Sequence, residues 1–318
     1  MKHFRPILFT ILALAAIYFT AIISGVPEAF FPALSSLLII LLPLLLGAWF
    51  TRHFKIGWGL FGAGALTFIL SQVLHIPFNS YLLNPLIEKL GLGAGSTGTR
   101  LLAFGILLGL SAGVFEETAR YITLRFWRKD ARTWGKSLIL GAGHGGIEAI
   151  LLGLYAFYIL IQMVMMFGLD VDAVGSIAGA DRGAEIFNYV AYYWGTSWYD
   201  FFWGALERFS AVSFHLSASV LVYQSLKRNN LLWLFLAILW HTLLDALAVY
   251  GSVAWGIPIT EGALLIIALL SIGIIFLLRE PPPAVEEIPE ALPSPPPPDS
   301  QLPPIPISSE TLDDSRYD

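Results

Sequence analysis

Apolar runs long enough to cross a bilayer recur along this chain, separated by short polar segments that are mostly basic on one side and acidic on the other. The pattern predicts eight spanning helices, near residues 6-24, 31-50, 56-77, 101-124, 137-167, 203-225, 231-250 and 261-278. Backbone groups in lipid leave helices as the practical spanning element, so the expected fold is an all-α polytopic membrane bundle over residues 1-279. Within the fourth run, LLAFGILLGLSAGVFEETARYITL, the apolar pattern is broken by Glu116, Glu117 and Arg120. Ionisable side chains at that depth are costly unless paired or hydrated, so they mark a functional site.

Composition agrees that lipid is the solvent. Apolar residues make up 56% of the 318 positions and charged ones 13%, and the mean hydropathy is +0.71. There is no cysteine, which excludes disulfides, thiolate nucleophiles and cysteine metal sites. From Glu280 onward prolines and acidic residues replace the apolar runs, and residues 280-318 are expected to be a disordered, polyproline-like tail. Lys2, Arg5, Arg52, Lys55, the 125-136 cluster, Lys227, Arg228 and Arg279 fall on one side, which predicts a multi-pass protein of the cell membrane with both termini cytoplasmic. No clean A-x-A site stands near Gly25, which argues for a retained first helix over a cleaved signal peptide. The 168-202 segment reads as a long outer loop anchored at the interface by Trp194, Trp198 and Tyr199.

Counting about 1.5 Å per residue from the cytoplasmic helix ends puts Glu117 and His144 about 10 Å deep, and His215 and His241 about 15 Å deep. Four helices therefore present acid and imidazole at one level. Arg120 stands three residues from Glu117 and four from Glu116, within reach of either. His144 and Glu148 are four apart, as are His241 and Asp245, so each imidazole has a carboxylate one turn away that can orient it. His3, His53 and His75 lie at or near helix ends and carry no chemistry in this reading. Gly105, Gly109 and Gly113 form a stripe for close helix packing. Four glycines around His144 would also leave room for water or an extended substrate.

The E-E-x-x-R helix, the G-x-G-H-G-G-x-E helix, a histidine in the sixth helix and a final H-x-x-x-D resemble the YhfC family of intramembrane proteases, related to the CAAX prenyl-endopeptidase and bacteriocin-immunity group and to PrsW. The resemblance covers roughly residues 101-250. It implies that Glu116 or Glu117 activates a water, with Arg120 as the basic partner and His144 holding that water. His241 and Asp245 would stabilise the oxyanion. The chain departs from the prenyl-endopeptidase pattern by one residue fewer before Arg120 and by Leu140 in place of phenylalanine. His215 has no counterpart there, which leaves room for a zinc site made by His144, His215 and His241. Glu116, His144 and His241 already supply a base, a water holder and an oxyanion donor, which favours a metal-free scheme. The expected partners are the membrane and a peptide or membrane-protein substrate, with no nucleic acid. The alternatives are a proton-coupled transporter or channel, since the same residue types build proton relays, and a non-catalytic membrane scaffold.

Overall fold

A computed structural model describes residues 25-280, which form helices joined by short turns, without a strand among them. The expected first helix and the proline-rich tail lie outside the described residues. The long helices are α1 (Phe30–His53), α2 (Gly59–Phe78), α4 (Gly98–Ile122), α5 (Trp134–Met165), α8 (Trp203–Lys227), α9 (Leu232–Ala254) and α10 (Ile257–Leu277). Each coincides with a predicted span to within a few residues. A short α3 (Asn84–Lys89) follows α2 through a π-helical turn, Asn79–Leu83.

Six helical stretches have the length and hydropathy to cross a membrane: Pro27–His53, Gly59–Lys89, Gly98–Trp127, Trp134–Met165, Leu232–Ala254 and Ile257–Leu277. Helix α8 is not among them, although it has 25 residues. It carries Glu207, Arg208, His215 and Gln224, and every residue from Ser210 to Ser225 is buried. The helix runs through the centre, packed by α1, α4, α5, α9 and α10. A helix shielded from lipid on all sides has no need of an apolar surface, so its polarity follows from its position. The span count of eight is thus approximate. Its supports among the described residues are six apolar helices and this polar central one.

The 168-202 segment is not an irregular loop. It folds as α6 (Val171–Ala178) and α7 (Gly183–Gly195), with Asp170 capping α6 by accepting from the Ala173 amide at 2.8 Å. Trp194 packs against the buried cluster of Val26, Ala29, Ala33 and Leu160, whereas Trp198 and Tyr199 remain more than half exposed.

Small residues set the distances between the helices that bear the site. Gly105, Gly109 and Gly113 lie against the backbone of Ala246, Thr242 and Ile238, which brings α4 directly onto α9. Between α2 and α5 the fit is reciprocal: a Cβ on Gly64 would land on the Leu140 carbonyl, and one on Gly143 on that of Phe61. The glycines around His144 are therefore filled by protein rather than by water or substrate. Gly141 faces the His215 carbonyl, and a Cβ on Gly145 would stand 2.5 Å from the His215 ring.

Candidate functional site

Helices α4, α5, α8 and α9 bring the predicted acids and imidazoles into one cluster beside α2. Glu116, Glu117, Arg120, His144, His215 and His241 are all buried. Glu148 and Asp245 complete the group, with side chains 25% and 32% exposed.

The two adjacent glutamates have different surroundings because consecutive helical residues point about 100° apart. Glu117 is sealed. Its Oε1 accepts from Arg120 at close range and from His241 Nδ1 at 2.8 Å, while its Oε2 is buried without a hydrogen-bond partner. Glu116 instead faces α2 and α5. Its Oε2 lies 3.0 Å from His144 Nε2, and its Oε1 accepts from Gln72 Nε2 at 3.0 Å. Arg120 does not pair with Glu116, contrary to the either-way expectation. Its second hydrogen-bonding arm, Nη2, reaches His215 Nδ1 at 2.6 Å.

The same-helix pairing of His144 with Glu148 is also corrected. Glu148 turns across the helix interface, where its Oε2 accepts from His215 Nε2 at 2.7 Å and its Oε1 from Arg208 at 2.7 Å. Arg208 holds Glu207 as well. His241 and Asp245 keep their i,i+4 relation, at 3.6 Å, which is beyond a hydrogen bond.

Spacing along one helix could not show either exchange, because the partner comes from a neighbouring helix whose rotation is set by packing. Arg208 was missed for a further reason: near the start of its helix, beside Glu207, a charge does not break an apolar run.

A second set of polar residues also escaped the reading. Gln72, His75 and Asn79 follow one face of α2 and meet Ser111. Because the Glu116 carboxylate accepts from the Gln72 amide nitrogen, the Gln72 oxygen faces His75 Nδ1, at 3.2 Å. Nδ1 then carries the proton and Nε2 accepts from Asn79 Nδ2 at 3.0 Å, while Ser111 donates to Asn79 Oδ1 at 2.7 Å. His75 is thus tied to the site through Gln72. The i, i+3, i+7 spacing of these polar residues in an apolar helix was the available signal.

Two spaces meet at Glu116 and Glu148. One is a cavity of about 90 Å³ between α8, α9 and α10, lined in part by Glu207, Arg208, His241 and Asp245. The other, of about 300 Å³, is walled by Phe68, Gln72, Leu151 and Leu152.

The metal arrangement differs from the three-histidine expectation. One ligand atom each from Glu116, His144 and His215 fall within 4.8 Å of one another, whereas His241 is turned to Glu117. Two features fit a cation there. Carboxylates outnumber guanidiniums, with Glu116, Glu117, Glu148, Glu207 and Asp245 against Arg120 and Arg208. In addition, His144 Nδ1 is buried with no hydrogen-bond partner, a loss of about 1–3 kcal/mol if left unmet. Two imidazoles and a carboxylate are a donor set used by catalytic zinc.

Outside the spanning segments, the Arg128 guanidinium beside Asp130 holds that carboxyl below the usual carboxylate range.

Residues 38–264 match a family model described as YhfC intramembrane metalloprotease. A curated relative, "Uncharacterized membrane protein YhfC" of Bacillus subtilis (strain 168), is 32% identical over 221 residues, covering 69% of this chain and 83% of the relative. No solved structure matches the chain significantly.

Proposed function

We propose, from the premise that the chain belongs to the family of YhfC intramembrane metalloproteases, that it hydrolyses a peptide bond of a membrane-associated substrate at Glu116. The observation that carries this reading is the convergence of Glu116, His144 and His215 beside two spaces that both reach Glu116. These three residues would hold the metal, and zinc suits their donor types. A metal bound there would supply a Lewis acid and make a bound water more acidic.

The remaining roles fall to the chain itself. Glu148 is occupied as an acceptor by His215 and Arg208, so it orients the imidazole rather than taking a proton. Asp245 faces the small cavity with acceptor capacity to spare, since His241 stands 3.6 Å away. It can serve as the base that takes the proton of the attacking water. Beside it, His241 is fixed through Nδ1 by Glu117 and turns its Nε2 toward Asp245 and the cavity. It is therefore suited to stabilise charge on the scissile oxygen or to protonate the leaving amine. Glu117 and Arg120 hold His241 and His215 in these orientations. The larger space, with Leu151 and Leu152 in its wall and both exposed, is the entry for an apolar substrate segment.

One observation favours a metal-free variant of this chemistry. Both ring nitrogens of His215 are engaged, by Arg120 and by Glu148, so one partner must yield before His215 can ligate. Without that exchange Glu116 serves as the base and His144 holds the water.

The deciding experiment combines metal analysis of the purified protein with cleavage of a peptide library in detergent. The metal reading expects close to one equivalent of zinc, lost with activity in His215→Ala and in Glu116→Gln. Cleavage that survives chelation selects the metal-free variant, and no cleavage by a well-folded, zinc-loaded protein would sink the hydrolytic reading.

A further inference from the structure

A third cavity, of about 450 Å³, lies on the other side of α8 from the polar cluster, between α1, α8 and α10. Its body is apolar, formed by residues such as Leu42, Leu46, Val212, Leu216, Ile272 and Phe276, and none of the described residues lining it is acidic. Its mouth has another character. His53 and Arg279 stand there with Trp49 and Trp134. The Arg279 guanidinium lies 5.7 Å from the centre of the Trp134 ring, and the His53 ring stacks on Trp49 at 5.2 Å. Among the described residues no carboxylate pairs with Arg279. Arg52 and Lys55, both exposed, extend the positive charge around the same end of α1.

We infer that this cavity binds one acyl chain of an anionic phospholipid, with the phosphate held at Arg279 and His53. Three observations agree on that occupant. Tryptophans mark the level where a bilayer passes from headgroups to hydrocarbon, so the cationic mouth sits at phosphate height and the apolar body at acyl depth. Basic pockets between spanning helices suit anionic headgroups, and no acid is among the residues that line this one.

Charge decides against the obvious competitor, a helix such as the one expected for residues 6-24: that segment holds no acidic residue and is preceded by Lys2 and Arg5, so it offers nothing to meet Arg279 and His53. This site is independent of the hydrolytic reading, because its residues face away from Glu116 and His144.

The test uses the full-length protein. Phospholipid retained after mild detergent purification should be enriched at least threefold in anionic species over the membrane extract. Arg279→Gln should remove that enrichment, and Val212→Trp should lower retention of every lipid class. As a check that needs no variant, vesicles containing phosphatidylglycerol should raise the melting temperature of delipidated protein more than phosphatidylcholine vesicles do, and inorganic phosphate alone should give no shift. Equal stabilisation by the two lipids, or unchanged anionic retention in Arg279→Gln, overturns the inference. So does a crosslink from within residues 6-24 to Leu46→Cys, readable because the natural chain has no cysteine of its own.

Discussion

Glu117 and Glu116 are neighbours in sequence and opposites in setting, and the two halves of the polar cluster divide along the same line. The sealed half, Glu117 with Arg120, has no room around it: both are fully buried. The open half, Glu116 with Glu148 and Asp245, borders cavities on both sides. Buried ion pairs contribute little net stability against an apolar replacement, yet removing one partner strands the other. The sealed half should therefore report on folding and the open half on chemistry.

The sharpest way to break that contrast is to truncate the sealed half. Arg120→Ala strands Glu117 and withdraws the donor from His215 Nδ1, and should destabilise the protein by about 3–5 kcal/mol, seen as a lower melting temperature or lost yield in detergent. A variant as stable as the wild type would show that Glu117 has another way to meet its charge. In the open half, Glu116→Gln keeps size and hydrogen-bonding capacity. Compared metal-free, its melting temperature should stay near that of the wild type, while cleavage falls at least ~100-fold, since Glu116 is a ligand in the metal reading and the base in the metal-free one. Unfolding of Glu116→Gln would erase the distinction between the halves.

A subtler probe is Gln72→Ala, which touches Glu116 from outside the cluster. Loss of a residue that orients a ligand typically reduces metal affinity or activity about 10–100-fold, and chelator competition reads the affinity directly. Affinity and rate both unchanged would reduce Gln72 to a packing residue.

The smallest effect lies away from both halves, at Asp130. Its folded-state pKa is depressed by Arg128, so its contribution to stability is present above the ordinary carboxylate pKa and is lost as pH falls through the folded value. The pair is partly solvent-exposed, which limits the contribution to a few tenths of a kcal/mol. A shallow fall in melting temperature below about pH 4 should flatten in Asp130→Asn.

Most of the architecture was legible because lipid imposes a length on every apolar run. Depth counting also brought Glu117, His144, His215 and His241 to one level, since rise per residue is nearly constant in a helix. What it could not supply was azimuth. Whether Glu148 turns to His144 on its own helix or to His215 on the next depends on how α5 is rotated against α8. That rotation is fixed by contacts such as Gly141 on the His215 backbone and Gly145 on its ring. Helix α8 falls short of a spanning hydropathy for a related reason: surrounded by protein, it needs no lipid-facing stripe.

The hydrogen bonds from Ser111 through Asn79, His75 and Gln72 to Glu116 all point the same way. Reversing Gln72, His75 or Asn79 alone would leave two donors or two acceptors face to face, so these three turn over only as a unit. In the present direction the row ends on an ionised Glu116 Oε1; turned over, it would bring the Gln72 oxygen there and call for a proton on that same atom. The direction of the row and the charge of Glu116 are therefore one variable, read from either end.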